Sequence, residues 1–240
     1  MRKLGVIGGL GPMATALFMQ MVTQMTKAQT DQEHIEMLIH SCPQIADRTS
    51  FILDHTKADP RPDLIRIGQE LSAQGAELIA IPCITSNYFY RELTEGIPVP
   101  IINMIRETRM YLLERGIHAA GLMATSGTLA SGLFQEAFGS SDCRLLLPSE
   151  EKQQQIMHLI YHNVKAGRPP QMELFNGASE ELKRGGAEVI LLGCTELSVI
   201  HGNYEIGGGY LDLMQLMAKR AVEVCGELKK EYRELITESR

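Results

Sequence analysis

Several absences narrow what this chain of 240 residues is. It has no clustered Lys/Arg block, and its 23 basic and 29 acidic residues leave a formal charge of −6. Nucleic-acid binding normally needs a concentrated cationic footprint, so that class of partner is set aside. No run approaches the roughly 18 apolar residues of a membrane span. The opening RKLGVIGGLGP meets its glycines too soon for a secretory h-region, so neither a membrane nor an export role is expected. The five cysteines are odd in number, scattered at 42, 83, 143, 194 and 225, and show no CxxC spacing. That pattern argues against a disulfide framework, implies a reducing compartment and offers no His/Cys cluster for a metal. A cytoplasmic protein without a metal site is the expectation.

What is present reads as an α/β protein. The apolar share is 44% and the charged share 22%, ordinary for a globular chain long enough for two compact lobes. Short β-rich runs at LGVIG (4–8), IEMLIH (35–40), LIAIP (78–82), PIIN (100–103), AAGLMA (119–124), CRLLLP (143–148) and VILLG (189–193) predict buried strands. Between them, segments 13–28, 61–74, 104–115, 150–166 and 172–185 space their apolar residues three to four apart, and most end near glycine. Such alternation implies parallel sheets with right-handed crossovers. A last amphipathic pattern predicts one long helix over 210–237.

The chain also echoes itself. GAELIAIPC (75–83) aligns without a gap on GAEVILLGC (186–194), 111 positions further on, and each copy closes an apolar strand with cysteine. A looser echo pairs GVIGGLGP (5–12) with GLMATSGT (121–128). Two related lobes about a pseudo-two-fold axis are expected: residues 1–103 with 209–240 carrying Cys83, and 104–208 carrying Cys194. In open α/β sheets ligands bind beyond the carboxyl ends of strands, where both cysteines fall. A thiol at a helix start feels the positive end of the helix dipole, which lowers its pKa from about 8.5. Cys42, Cys143 and Cys225 lack such a partner and read as structural.

Six stretches in order, IGGLGPMAT (7–15), PQIADRT (43–49), IPCITSNYFY (81–90), GLMATSGTLASG (121–132), VKAG (164–167) and LGCTEL (192–197), resemble the aspartate/glutamate racemase superfamily, most closely its aspartate racemase branch. The resemblance covers nearly the whole chain. It implies an active site in an interlobe cleft, and racemisation of a small acidic amino acid without a cofactor. Cys83 and Cys194 would be the two catalytic bases, one removing the Cα proton and the other protonating the opposite face. Arg48 and Lys165 match family positions that hold substrate carboxylate, and paired cations suit an acidic amino acid. Ile84, Thr85, Ser86, Thr125, Ser126, Gly127 and Thr128 lie in the turns expected to surround the substrate. Thr195 and Glu196 flank the second cysteine, with Glu196 ordering the substrate ammonium or tuning Cys194. A homodimer is implied as well.

Each of these residues also has a plainer reading. Arg48 can pair with Asp47, Lys165 can serve the last turn of a helix, and TSGT and Glu196 can be ordinary caps. The first cysteine motif departs from the family, which usually carries Asn directly after this cysteine and often His three residues later; here Ile84 and Asn87 stand there. Weaker activity, a shifted substrate, or rescue by the Asn87 amide would each follow from that change. Three rivals remain: another superfamily reaction (maleate isomerase, hydantoin racemase or malonate decarboxylase type), a weakly active binding protein for acidic amino acids, and a nucleotide-dependent enzyme. The last rests on the loose G-x-G-x-x-A at Gly9–Ala14, but HSCP after IEMLI offers no acidic residue for a ribose.

Overall fold

The computed structural model describes residues 1–139 and 142–237. The first half runs β1 (Leu4–Gly8), α1 (Pro12–Met25), β2 (Met37–Ser41), α2 (Arg48–Leu53), α3 (Arg61–Ala73) and β3 (Leu78–Ala80). A 3-10 segment (Ile84–Phe89), α4 (Tyr90–Gly96) and α5 (Met104–Glu114) follow. The second half runs β4 (Ala119–Met123), α6 (Ser126–Ala130), α7 (Leu133–Gly139), β5 (Arg144–Leu146), α8 (Glu150–His158) and a π-helical segment (Leu159–Val164). It ends with α9 (Met172–Arg184), β6 (Val189–Leu192), α10 (Thr195–Asn203), β7 (Tyr210–Asp212) and α11 (Leu213–Cys225).

The strands form two parallel sheets, ordered β2-β1-β3 and β5-β4-β6-β7, as the alternating pattern predicts. Their apolar runs sort by side-chain parity. Leu4 and Val6 on β1, Ala120 and Leu122 on β4, and Val189 and Leu191 on β6 enter one core shared by both sheets with α1, α5 and α11. The intervening Ile7 and Ile79 cover the outer face of the first sheet, and Met123, Ile190 and Leu192 that of the second. Burial on both faces is why these strands read as continuous apolar runs rather than as alternation.

The internal echo has a packing counterpart. A Cβ on Gly5 would lie 2.5 Å from Ile79 Cδ1, and one on Gly121 would lie 2.9 Å from Ile190 Cδ1. Ile79 and Ile190 are equivalent in the echo and pair with Gly5 and Gly121 on the neighbouring strand, so both halves need glycine at the same close approach. Ile79 bridges to Ile101 as Ile190 pairs with Tyr210, giving both sheets the same order.

Two expectations change. PIIN contributes only that single bridge at Ile101; Pro98 and Pro100 lack backbone donors and cannot extend a ladder. The predicted helix over 210–237 is a strand, a shorter helix and a tail. Tyr210–Asp212 forms the edge of the second sheet, and the Asp212 carboxylate accepts from the backbone N–H groups of Met214 (2.8 Å) and Gln215 (3.4 Å), fixing the helix start at Leu213. The helix ends at Gly226, and Leu228 then bridges to Thr26. The segment after 209 thus starts in the second sheet before α11 packs on α1.

Asp212 is fully buried and also accepts from Ser198 Oγ at 2.6 Å and lies 3.3 Å from His201 Nδ1. Replacing it with alanine removes the cap and orphans a buried hydroxyl. Asp212→Ala should cost about 2–4 kcal/mol, read as a lower urea midpoint at unchanged slope, with Asp212→Asn costing less.

Candidate active site

Cys83 follows β3 and Cys194 follows β6, each in extended conformation at the N-cap of the next helical segment. Both are buried, and both line one small cavity of about 10 Å³. The expected residues Arg48, Ile84, Thr85, Thr125, Lys165, Thr195 and Glu196 line it too. Four expected residues do not. Ser126 accepts from Gln153 Nε2 at 3.2 Å, and its N–H points at Met157 Sδ. Gly127 is a packing position, since a Cβ there would lie 2.8 Å from Thr49 Cα. Thr128 supports the wall from behind. Its hydroxyl lies 2.9 Å from that of Thr85 and 3.1 Å from that of Thr125, and those two are 3.1 Å apart, a triangle joining the two halves of the chain. Ser86 faces a separate small space beneath Tyr90 and Leu93.

The two cysteines have unequal surroundings. Cys194 Sγ donates to Glu196 Oε2 at 2.8 Å, and Thr195 Oγ1 donates to the same oxygen at 3.3 Å. Glu196 Oε1 pairs with Lys165 Nζ at 3.1 Å. The helix-start expectation of a lowered pKa fails for Cys194. Burial and the Glu196 charge push its pKa well above the ordinary value, against the pull of Lys165, so the sulfur carries its proton. Glu196 therefore acts on Cys194, one of its two expected roles. Burial opposes the Lys165 charge, but Glu196 and both cysteine sulfurs outweigh it and hold the ammonium protonated.

Cys83 instead has Arg48 for a neighbour. Burial opposes the Arg48 charge, and the Cys83 sulfur is the largest influence favouring it, so its pKa lies above normal. Two guanidinium nitrogens are engaged, Nη1 donating to Ala46 O at 3.1 Å and Nη2 to Leu10 O at 3.2 Å. Its Nε is buried without a hydrogen-bond partner, a donor left for an anion. Ile84 lies against the cavity where the family's amide would stand. Rescue by Asn87 does not occur: its Nδ2 donates to Ile84 O at 2.9 Å, and its Oδ1 accepts from Met104 N at 3.0 Å.

Leu10, Asp47, Thr49 and Tyr161 also line the cavity without having been expected there. The Tyr161 hydroxyl donates to Asp47 Oδ2 at 3.1 Å across 114 residues of chain, and burial pushes its pKa up to about 12. Burial works against the Asp47 charge, but bonds from Ser50 and the nearby Arg48 and Lys165 outweigh it and lower its pKa. Tyr161 precedes Lys165 by four residues, the one local signal for it, and Lys165 Nζ lies 5.2 Å from the centre of its ring. The π-helical segment that carries Tyr161 and ends just before Lys165 is a wide-turn geometry common at functional sites.

Two parallel sheets that deliver paired thiols, two cations and two carboxylates to one small space define a site suited to moving protons. A family model described as Asp/Glu/Hydantoin racemase matches residues 7–221, and the chain belongs to that family. It is similar to the broad specificity amino-acid racemase RacX of Bacillus subtilis, 24% identical over 91% of this chain and 96% of that one. Among solved structures, the aspartate racemase of Picrophilus torridus superposes with a TM-score of 0.83 at 27% identity, covering 97% of this chain and 98% of that one. Glutamate racemase from Francisella tularensis shares the fold at a TM-score of 0.60 and 14% identity, over 93% of this chain and 80% of that one. Among the described residues, no helix is long and apolar enough to cross a membrane.

The raised pKa of Cys194 has a consequence for stability. An unfolded thiol releases its proton near pH 8.5 while the folded one keeps it, so the folded chain binds more protons above that pH. Stability should fall as pH rises past about 8.5, and Cys194→Ala should flatten the slope in urea titrations from pH 7 to 10. Cys225, raised to about 11 by burial, keeps its own share of the decline.

Proposed function

We propose that this protein interconverts the L and D forms of aspartate or glutamate by a two-base reaction of Cys83 and Cys194, without a cofactor. The observation that carries the reading is that both thiols line one small cavity together with Arg48 and Lys165. In one direction Cys83, beside Arg48, takes the Cα proton, and Cys194, holding its proton against Glu196, protonates the opposite face. The enzyme is then left with the roles exchanged, ready for the reverse turnover, so no proton is gained or lost overall. The threonine hydroxyls and the N–H groups at the two helix starts support the α-carboxylate as charge develops on it. Arg48 Nε and Lys165 serve the side-chain carboxylate.

The cavity of about 10 Å³ has room for about one water, so admitting an amino acid requires the walls to separate. The bond between Tyr161 and Asp47 is one contact that must give way. The proposal includes a cytoplasmic homodimer and two pseudo-symmetric lobes, with the expected boundary at 209 moved so that Tyr210–Asp212 stays with the second lobe and the chain returns to the first at α11. Ile84 favours one second reading, an acidic amino acid binder of feeble turnover, because it puts a hydrocarbon where a hydrogen-bonding amide is expected.

The test follows optical rotation with L- and D-aspartate and L- and D-glutamate. The expected result is loss of rotation from both enantiomers of at least one pair, abolished by Cys83→Ser and by Cys194→Ser. Thermal stabilisation by these ligands without turnover of any of the four would replace the proposal with the binding reading.

A further inference from the structure

Beside the reactive cavity lies a second, larger chamber of about 320 Å³. The two share Leu10, Asp47, Arg48, Lys165 and Glu196, so those residues form a throat between them. Beyond the throat the walls change character. Met13, Pro43, Ile45, Val164 and Val199 face the chamber, and every charged group lining it stands at the throat. Met13 at the rim is 70% exposed, an apolar side chain that nothing in the fold covers.

The throat charges are already matched. Lys165 is paired with Glu196, Asp47 stands beside Arg48, and two of the Arg48 nitrogens hold backbone carbonyls. A side-chain carboxylate entering here finds Arg48 Nε without a partner but must compete with Glu196 for Lys165. An aliphatic side chain passing the throat needs no countercharge and gains by leaving water in the chamber. Ile84 adds hydrocarbon to the inner wall on the same route.

From this we infer that the protein also takes neutral α-amino acids with long aliphatic side chains, of methionine or leucine type, their side chains lying in the outer chamber with Val199 and Met13 as specificity-determining residues. The inference rests on the two-cysteine racemase reading: the Cα stays between the thiols, the α-carboxylate stays with the threonines, and only the side-chain site is new. No step of the proton transfer changes.

The experiment measures Cα deuterium incorporation in heavy water for methionine, leucine, aspartate and glutamate, with wild type, Val199→Phe and Met13→Asn. Methionine and leucine should be labelled. Val199→Phe, which fills the chamber, should lower the methionine-to-aspartate ratio of kcat/KM by roughly tenfold or more, the scale of losing the burial of one such side chain. Met13→Asn sits on an exposed position and leaves folding untouched, and it should lower the same ratio by a smaller factor. Labelling of aspartate or glutamate with none of methionine or leucine would overturn the inference and leave the racemase reading standing. An unchanged ratio in both variants would also overturn it. Labelling of none of the four would sink the racemase reading itself.

Discussion

A buried carboxylate has to be compensated, and around Glu196 this protein does so completely. Leaving one charge unpaired in such a space costs several kcal/mol. Lys165 neutralises Glu196 on one oxygen, while Cys194 and Thr195 occupy the other. From that arrangement the protonated state of Cys194 follows, and so does the placement of the π-helical segment that must carry Lys165 to the cavity. Arg48 and the adjacent Asp47 put a second pair of opposite charges beside the throat. The site is nearly neutral before substrate arrives, so the added charge or proton of a reaction is what it is poised to notice.

The fold supplies the other constraint. One core is shared by the inner faces of both sheets, so neither half can shift without disturbing α1, α5 and α11. The carboxyl ends of β3 and β6 then bring two cysteines that lie 111 residues apart to one cavity. Contacts between the halves are small and polar there: the threonine triangle, the bond from Tyr161 to Asp47, and the close approach of Gly127 to Thr49. Such contacts are individually weak, which suits walls that must part to admit a ligand.

Much of this was legible in the sequence, for identifiable reasons. Strands buried on both faces leave unbroken apolar runs, and the repeat GAELIAIPC and GAEVILLGC marks the two strand ends. The strand Tyr210–Asp212 was not legible, because Tyr-Leu-Asp merges with the apolar spacing of the helix that follows. Asp212 as an N-cap was the signal available there. Cys83, Cys194, Arg48, Lys165 and Glu196 could be named because they stand in motifs. Asp47 and Tyr161 could not be paired, since their hydrogen bond joins loop and helix across the whole fold. The state of Cys194 was equally hidden: a helix start predicts a lowered pKa, and burial beside Glu196 raises it instead.

The central claim is that two thiols act on opposite faces of one carbon, and where the label first enters decides it most directly. With a single enantiomer of a turned-over amino acid in heavy water, the earliest product should carry deuterium at Cα while the recovered substrate remains unlabelled. A monoprotic thiol that has taken the substrate proton can return only that proton, and the opposite thiol delivers deuterium. Deuterium appearing equally in substrate and product from the first turnovers would contradict the account.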